Sequence, residues 1–155
     1  MKASLIWSNS GKRLSKKFSG LPLNDSMNKT KSLLIIDDEK GYRDFYKFIL
    51  TPLGFTVSTA EDGAIGLQMA VENDYDIILL DVHLPKLRGP EVLAGIKNVK
   101  PEQIVIIFSS SSDPSFNFET RAKELGAFDC LYKPVDLDDI LKTINRAQAL
   151  RGDNK

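Results

Sequence analysis

Five short strand-like runs, each followed by a stretch of helical periodicity, constrain this 155-residue chain more than any other feature. Leu33–Ile36, Phe55–Thr59, Ile77–Leu80, Ile104–Phe108 and Phe128–Tyr132 are rich in branched and aromatic residues and read as strands. After the first, residues 41–53 place Tyr42, Phe45, Ile49 and Leu53 at helical spacing. Ala64–Val71 follows Asp62, a side chain suited to cap a helix, and Pro90–Val99 begins with proline at a first-turn position. Asp113-Pro114 opens a helix through about Leu125, closed by Gly126, and Asp136–Ala149 sets Leu137, Ile140, Leu141 and Ile144 on one face. Strict alternation of this kind predicts an α/β fold, a doubly wound parallel sheet of five strands with helices on both faces. The near-continuous apolar strands agree, because such strands are buried from both sides.

Charge divides the chain. Residues 1–31 carry Lys2, Lys12, Arg13, Lys16, Lys17, Lys29 and Lys31 against Asp25 alone, a balance of +6, so the remainder of this formally neutral protein carries −6. The first segment, 1–31, reads as a flexible basic extension, with a basic amphipathic helix around Leu5, Ile6, Trp7, Leu14 and Phe18 as the alternative. It lacks the apolar core of a secretory signal, and Met27 is a second candidate start of translation. Residues 32–150 read as one domain and 151–155 as a short tail. No apolar run is long enough to span a membrane. The single cysteine, Cys130, excludes an internal disulfide framework and fits a reducing, cytoplasmic setting. With one cysteine and one histidine, His83, a zinc site is not expected.

In open α/β sheets function collects where the strands end, near the point at which strand order reverses. Those ends carry Asp37 and Asp38 after the first strand, Asp81 after the third, Ser109 after the fourth and Lys133 after the fifth. Singly, each has an ordinary reading: a capping turn, a loop serine, a surface lysine. In the order 2-1-3-4-5 the first and third strands are neighbours, and the four ends converge on one rim. Carboxylates a few ångströms apart repel by roughly 4 kcal/mol per pair at an effective dielectric near 20. A hard divalent cation relieves that repulsion, and carboxylates with water suit Mg²⁺. A carboxylate beside such a cation can attack phosphorus to form an aspartyl phosphate, with a lysine and a hydroxyl stabilising the equatorial oxygens.

At these same positions LLIIDDE (33–39), DIILLDVHLPKLRG (76–89), IVIIFSS (104–110) and LYKPVD (131–136) resemble the signature blocks of the receiver domain of two-component response regulators. The resemblance extends over about residues 32–150 and is nearest in kind to the single-domain, chemotaxis-regulator-like members. It implies a flavodoxin-like fold. It also implies Asp81 as phosphoacceptor, Asp38 as a direct Mg²⁺ ligand, Asp37 acting through water, and the main-chain carbonyl of His83 as a further ligand. Lys133 would pair with the phosphoryl group, with a cis peptide to Pro134, and Pro85 and Gly89 match the loop after the acceptor.

Three departures stand out. The switch hydroxyl is Ser109 counted forward from the fourth strand but Ser111 counted back from Lys133; Ser109 is favoured, with two extra residues in the serine loop. Cys130 occupies the place of the usual aromatic switch residue, and is expected to pack as a small hydrophobe. Arg88 replaces a common acid. The implied partners are a sensor histidine kinase or a histidine phosphotransfer protein, and a downstream protein target. That target would be reached through the face built by the fourth helix, fifth strand and fifth helix, with Phe116 and Phe118 as candidate anchors. No output domain fits after Ala149, no nucleic acid is expected on the domain, and catalysis is limited to its own phosphorylation and dephosphorylation. A phosphorelay intermediate, a pseudo-receiver used only for binding, and an aspartate-nucleophile phosphatase are the alternatives. The phosphatase is disfavoured because its nucleophile would follow the first strand in an Asp-x-Asp arrangement.

Overall fold

The computed structural model describes residues 31–110 and 118–152, apart from the side chain of Phe118. All of these belong to the unit that begins at Lys31. The proposed N-terminal extension up to residue 30, Ser111 and Phe116 therefore lie outside the described residues, as does the expected start of the fourth helix at Asp113.

Five parallel strands, β1 (Lys31–Ile36), β2 (Phe55–Ala60), β3 (Ile77–Asp81), β4 (Ile104–Ser110) and β5 (Asp129–Lys133), pair in the order β2-β1-β3-β4-β5. Helices α1 (Lys40–Leu50), α2 (Gly63–Glu72), α3 (Gly89–Val99), α4 (Phe118–Glu124) and α5 (Leu137–Gly152) alternate with them. This is the flavodoxin-like arrangement anticipated above. The central strand β3 is apolar and buried along Ile77–Leu80. Burial of each such side chain contributes about 1.5–3 kcal/mol, enough for the strand to tolerate a carboxylate at its end.

Strand alternation sorts the core into two layers. Leu34, Ile36, Ile78, Leu80, Val105 and Ile107 pack with Ala70 of α2, Val92, Leu93 and Ile96 of α3 and Ala122 of α4. The intervening strand residues face the other side, where Tyr46 of α1 meets Phe108 edge-on at 5.4 Å. The buried face of α5 contributes Ile140, Leu141 and Ile144, three of the four positions expected there, while Leu137 is half-buried.

The first helix departs from expectation in two ways. Its buried residues are Tyr46 and Leu50, whereas Phe45 is 52 % exposed. The stripe that meets the sheet runs through positions 42, 46, 49 and 50, and Phe45 falls one position outside it. The α-helix also ends at Leu50, and Thr51–Leu53 form a 3₁₀ turn. Pro52 cannot donate a backbone hydrogen bond, so the regular ladder does not continue to Leu53. The last helix runs on to Gly152, three residues past its expected end.

Local signals elsewhere were accurate. The Asp62 carboxylate caps α2 by accepting from the Ile65 N–H at 2.8 Å. Gly126, at φ +94°, follows α4 in the left-handed conformation that an L side chain adopts only with strain. No helix among the described residues is long and apolar enough to cross a membrane.

Candidate functional site

Parallel pairing puts the carboxyl ends of β1, β3, β4 and β5 on one rim. Asp81 is paired with Phe108 in the β3–β4 ladder, and the Val82 N–H donates to the Phe108 carbonyl at 3.0 Å. Beyond Ile36 the chain turns at once. The Asp37 N–H still bonds to the Ala60 carbonyl at 3.1 Å, and its carboxylate accepts from the Glu39 N–H at 2.9 Å. Arg43, one turn into α1, donates to the Asp37 carbonyl at 2.7 Å. These bonds hold Asp37 inward, 1 % exposed, and leave Asp38 facing solvent.

Asp37, Asp38 and Asp81 each offer a carboxylate oxygen, and the three oxygens lie within 4.8 Å of one another. Lys133 reaches into this group from β5. Its Nζ donates to Asp37 Oδ2 at 2.8 Å and stands 3.6 Å from Asp81 Oδ1, while also lying 4.1 Å from the centre of the Tyr42 ring. The expected cis bond between Lys133 and Pro134 is present. Above the group opens a cavity of about 320 Å³, walled by Asp38, Glu39, Tyr42 and Asp81. His83, Ser110, Lys133 and Pro134 complete its lining.

Electrostatics follow from this crowding. Burial, the largest influence, pushes the Asp81 carboxyl up to about 6, and the negative charges of Asp37 and Asp38 add to it. Lys133 and the main-chain N–H of His83 work in the opposite direction. Burial opposes the charge on Lys133, but its hydrogen bond to Asp37 and the fields of Asp81 and Asp37 outweigh that, so the ammonium is held above the ordinary lysine range. A cluster of hard oxygens with a roomy, partly polar opening fits Mg²⁺ by donor chemistry, and Asp37, Asp38 and Asp81 are the side chains that could hold it.

The loop after Asp81 is fixed by close packing. A Cβ at Gly89 would fall 2.6 Å from the Asp81 carbonyl oxygen and 2.7 Å from Val82 Cα, so this position admits only glycine as the loop stands. Lys86, at φ 67°, donates to the buried Asp62 carboxylate at 2.6 Å. That bond ties the loop to the cap of α2. Arg88 is exposed, and its N–H donates to the Glu91 carboxylate at 2.9 Å.

Thus Asp37, Asp38, Asp81 and Lys133 come together, and His83 joins them at the wall of the cavity. Ser109 is the residue that stands apart. It is buried, its Oγ bonds to the Ser110 carbonyl at 3.3 Å, and it is Ser110 that lines the cavity. Cys130 packs in the apolar layer beside Ile107 and Ala127 as a free thiol, which burial pushes up to about 11. The sequence reading did not identify Tyr42 or Arg43 as site residues. Their position one helical turn after the acidic pair was the available signal.

A family model described as response regulator receiver domain matches residues 33–145. The response regulator ArlR of Staphylococcus epidermidis is 31 % identical over 113 residues, 73 % of this chain and 50 % of that protein. ArlR of Staphylococcus aureus is 32 % identical over 112 residues, with 72 % and 50 % covered. The chain therefore spans about half the length of these curated relatives. Among solved structures, a response regulator receiver domain protein from Clostridium thermocellum superposes with a TM-score of 0.75 at 33 % identity, covering 81 % of this chain and 99 % of that one. A CheY-like receiver domain protein from Methanospirillum hungatei gives 0.76 at 24 % identity, with 82 % and 100 % covered, and supports the fold alone.

Proposed function

Since the chain belongs to the response regulator receiver domain family of two-component systems, we propose that Asp81 accepts a phosphoryl group from a phosphohistidine donor in a Mg²⁺-dependent reaction. The observation that carries this reading is the meeting of three carboxylate oxygens within 4.8 Å, with Lys133 between Asp37 and Asp81.

An Asp81 carboxylate oxygen attacks phosphorus. The new P–O bond forms as the P–N bond to the donor imidazole breaks, and that nitrogen leaves with the electron pair and takes up a proton. The Lys133 ammonium turns from Asp37 toward an equatorial phosphoryl oxygen, a move of small extent because it already stands beside Asp81. A hydroxyl at the end of β4 donates to another oxygen. We assign this to Ser109, whose Oγ must then leave the Ser110 carbonyl. Asp38, Asp81 and the His83 main-chain carbonyl, with Asp37 through water, would hold Mg²⁺, which would supply charge neutralisation that favours ionised Asp81 and stabilises the phosphoryl oxygens. Water then attacks phosphorus, the P–O bond to Asp81 breaks with its electron pair returning to the carboxylate, and inorganic phosphate leaves carrying the protons of the water.

The donor on this reading is a sensor histidine kinase or a histidine phosphotransfer protein, and the output is contact with a downstream protein. A cytoplasmic, reducing setting fits the buried free thiol of Cys130. The test is incubation with phosphoramidate and Mg²⁺ followed by intact mass measurement. Wild type should gain one acid-labile phosphoryl group and Asp81→Asn none. Equal labelling of the two proteins overturns the assignment.

A further inference from the structure

The partners of Lys133 are of two kinds. Asp37 and Asp81 are carboxylates that belong to the proposed metal cluster. Tyr42 offers only a ring face, 4.1 Å from the ammonium. A divalent cation bound in the cluster would take up the charge of the carboxylates and repel the ammonium, so both ion pairs would weaken on loading. The attraction of the ring quadrupole for the ammonium does not depend on those charges. The ring is also held in place. Tyr42 stacks on Tyr46 at 6.0 Å with 16° between planes, and Tyr46, 1 % exposed, is wedged edge-on against Phe108. Phe108 is in turn the ladder partner of Asp81.

From this we infer that Tyr42 is a positioning residue: its ring keeps the Lys133 ammonium beside Asp81 when metal occupies the carboxylates. The inference rests on the function proposed above and adds to it a residue outside the acid–lysine–hydroxyl set. Tyr42 lines the cavity without offering it a carboxylate, so its contribution is separable from metal binding. Because the ring face acts, phenylalanine can replace it and leucine cannot.

The test compares wild type, Tyr42→Phe and Tyr42→Leu, each saturated with Mg²⁺ and matched for folded fraction. The Lys133 ε-methylene protons, on the carbon bonded to the ammonium that stands over the ring, should resonate upfield in wild type and Tyr42→Phe and return toward the free-lysine position in Tyr42→Leu. The initial rate of Asp81 labelling by phosphoramidate should fall roughly fivefold in Tyr42→Leu and stay within about twofold in Tyr42→Phe. Mg²⁺ affinity should change by less than about twofold in either. An unchanged labelling rate in Tyr42→Leu, a Phe variant as slow as the Leu variant, or Lys133 resonances indifferent to both substitutions overturns the inference. Absence of labelling in wild type overturns the proposed function instead, and the proton shifts still decide whether the ring holds the ammonium.

Discussion

Lys133 on β5 and Asp37 at the end of β1 form a hydrogen-bonded ion pair at 2.8 Å across 96 residues of sequence, with side chains 7 % and 2 % exposed. Lys133 sets a buried positive charge between carboxylates that otherwise repel one another. Lys133→Ala is therefore expected to destabilise the metal-free protein by roughly 3 kcal/mol. Mg²⁺ should stabilise the variant more than wild type, because it restores the missing positive charge. Urea unfolding in EDTA and in saturating Mg²⁺ measures both effects, and an equal Mg²⁺ increment in the two proteins would contradict this account.

Asp81 makes the metal-free stability pH-dependent. Its carboxyl sits at about 6 in the fold, against an ordinary value of about 3.9 in an unfolded chain. A raised folded value means that the native state binds the proton more tightly. The stability this contributes is present at low pH and is lost as pH rises through about 6. Asp81→Asn is permanently neutral and escapes that loss. It should exceed wild type by about 2 kcal/mol at pH 7.5 in EDTA, and the advantage should shrink as pH falls from about 6 and vanish only below about pH 4. A constant difference across that range would mean that ionisation of Asp81 is not its source.

The acidic pair should divide its labour. Asp38 faces solvent at the cavity wall, whereas Asp37 is committed to Lys133 and the Glu39 N–H. Titration calorimetry should show Asp38→Ala weakening Mg²⁺ binding at least about tenfold, and more than Asp37→Ala does. Asp38→Ala should also raise metal-free stability by relieving repulsion, about 1 kcal/mol. Wild-type affinity in Asp38→Ala would remove it from the metal site.

Among the described residues, Ser109 and Ser110 compete for the switch role. Ser109 is buried and turned to its neighbour's carbonyl, and Ser110 lines the cavity. If Ser109 rotates to meet the phosphoryl group, Ser109→Ala should slow Asp81 labelling roughly tenfold and Ser110→Ala by less than about twofold. The reverse order would move the hydroxyl to Ser110.

Much of the domain was legible in the sequence because the signals are local. Apolar runs of four or five residues, the Asp62 cap and the glycine after α4 each act within a few positions, where sterics and hydrogen bonding leave few alternatives. The acids and lysine at strand ends could be placed on one rim because βα alternation sends every strand the same way. Tertiary structure decided what those signals leave open. Phe45 and Tyr46 are adjacent aromatic residues of similar apolar size, and only the angle at which α1 crosses the sheet buries Tyr46 and exposes Phe45. Neighbouring serines differ only in which face of β4 each occupies, so one was hidden and the other opened to the cavity. The grip of Tyr42, Asp37 and Asp81 on one ammonium joins three distant segments, and long-range packing, not any local pattern, sets those distances.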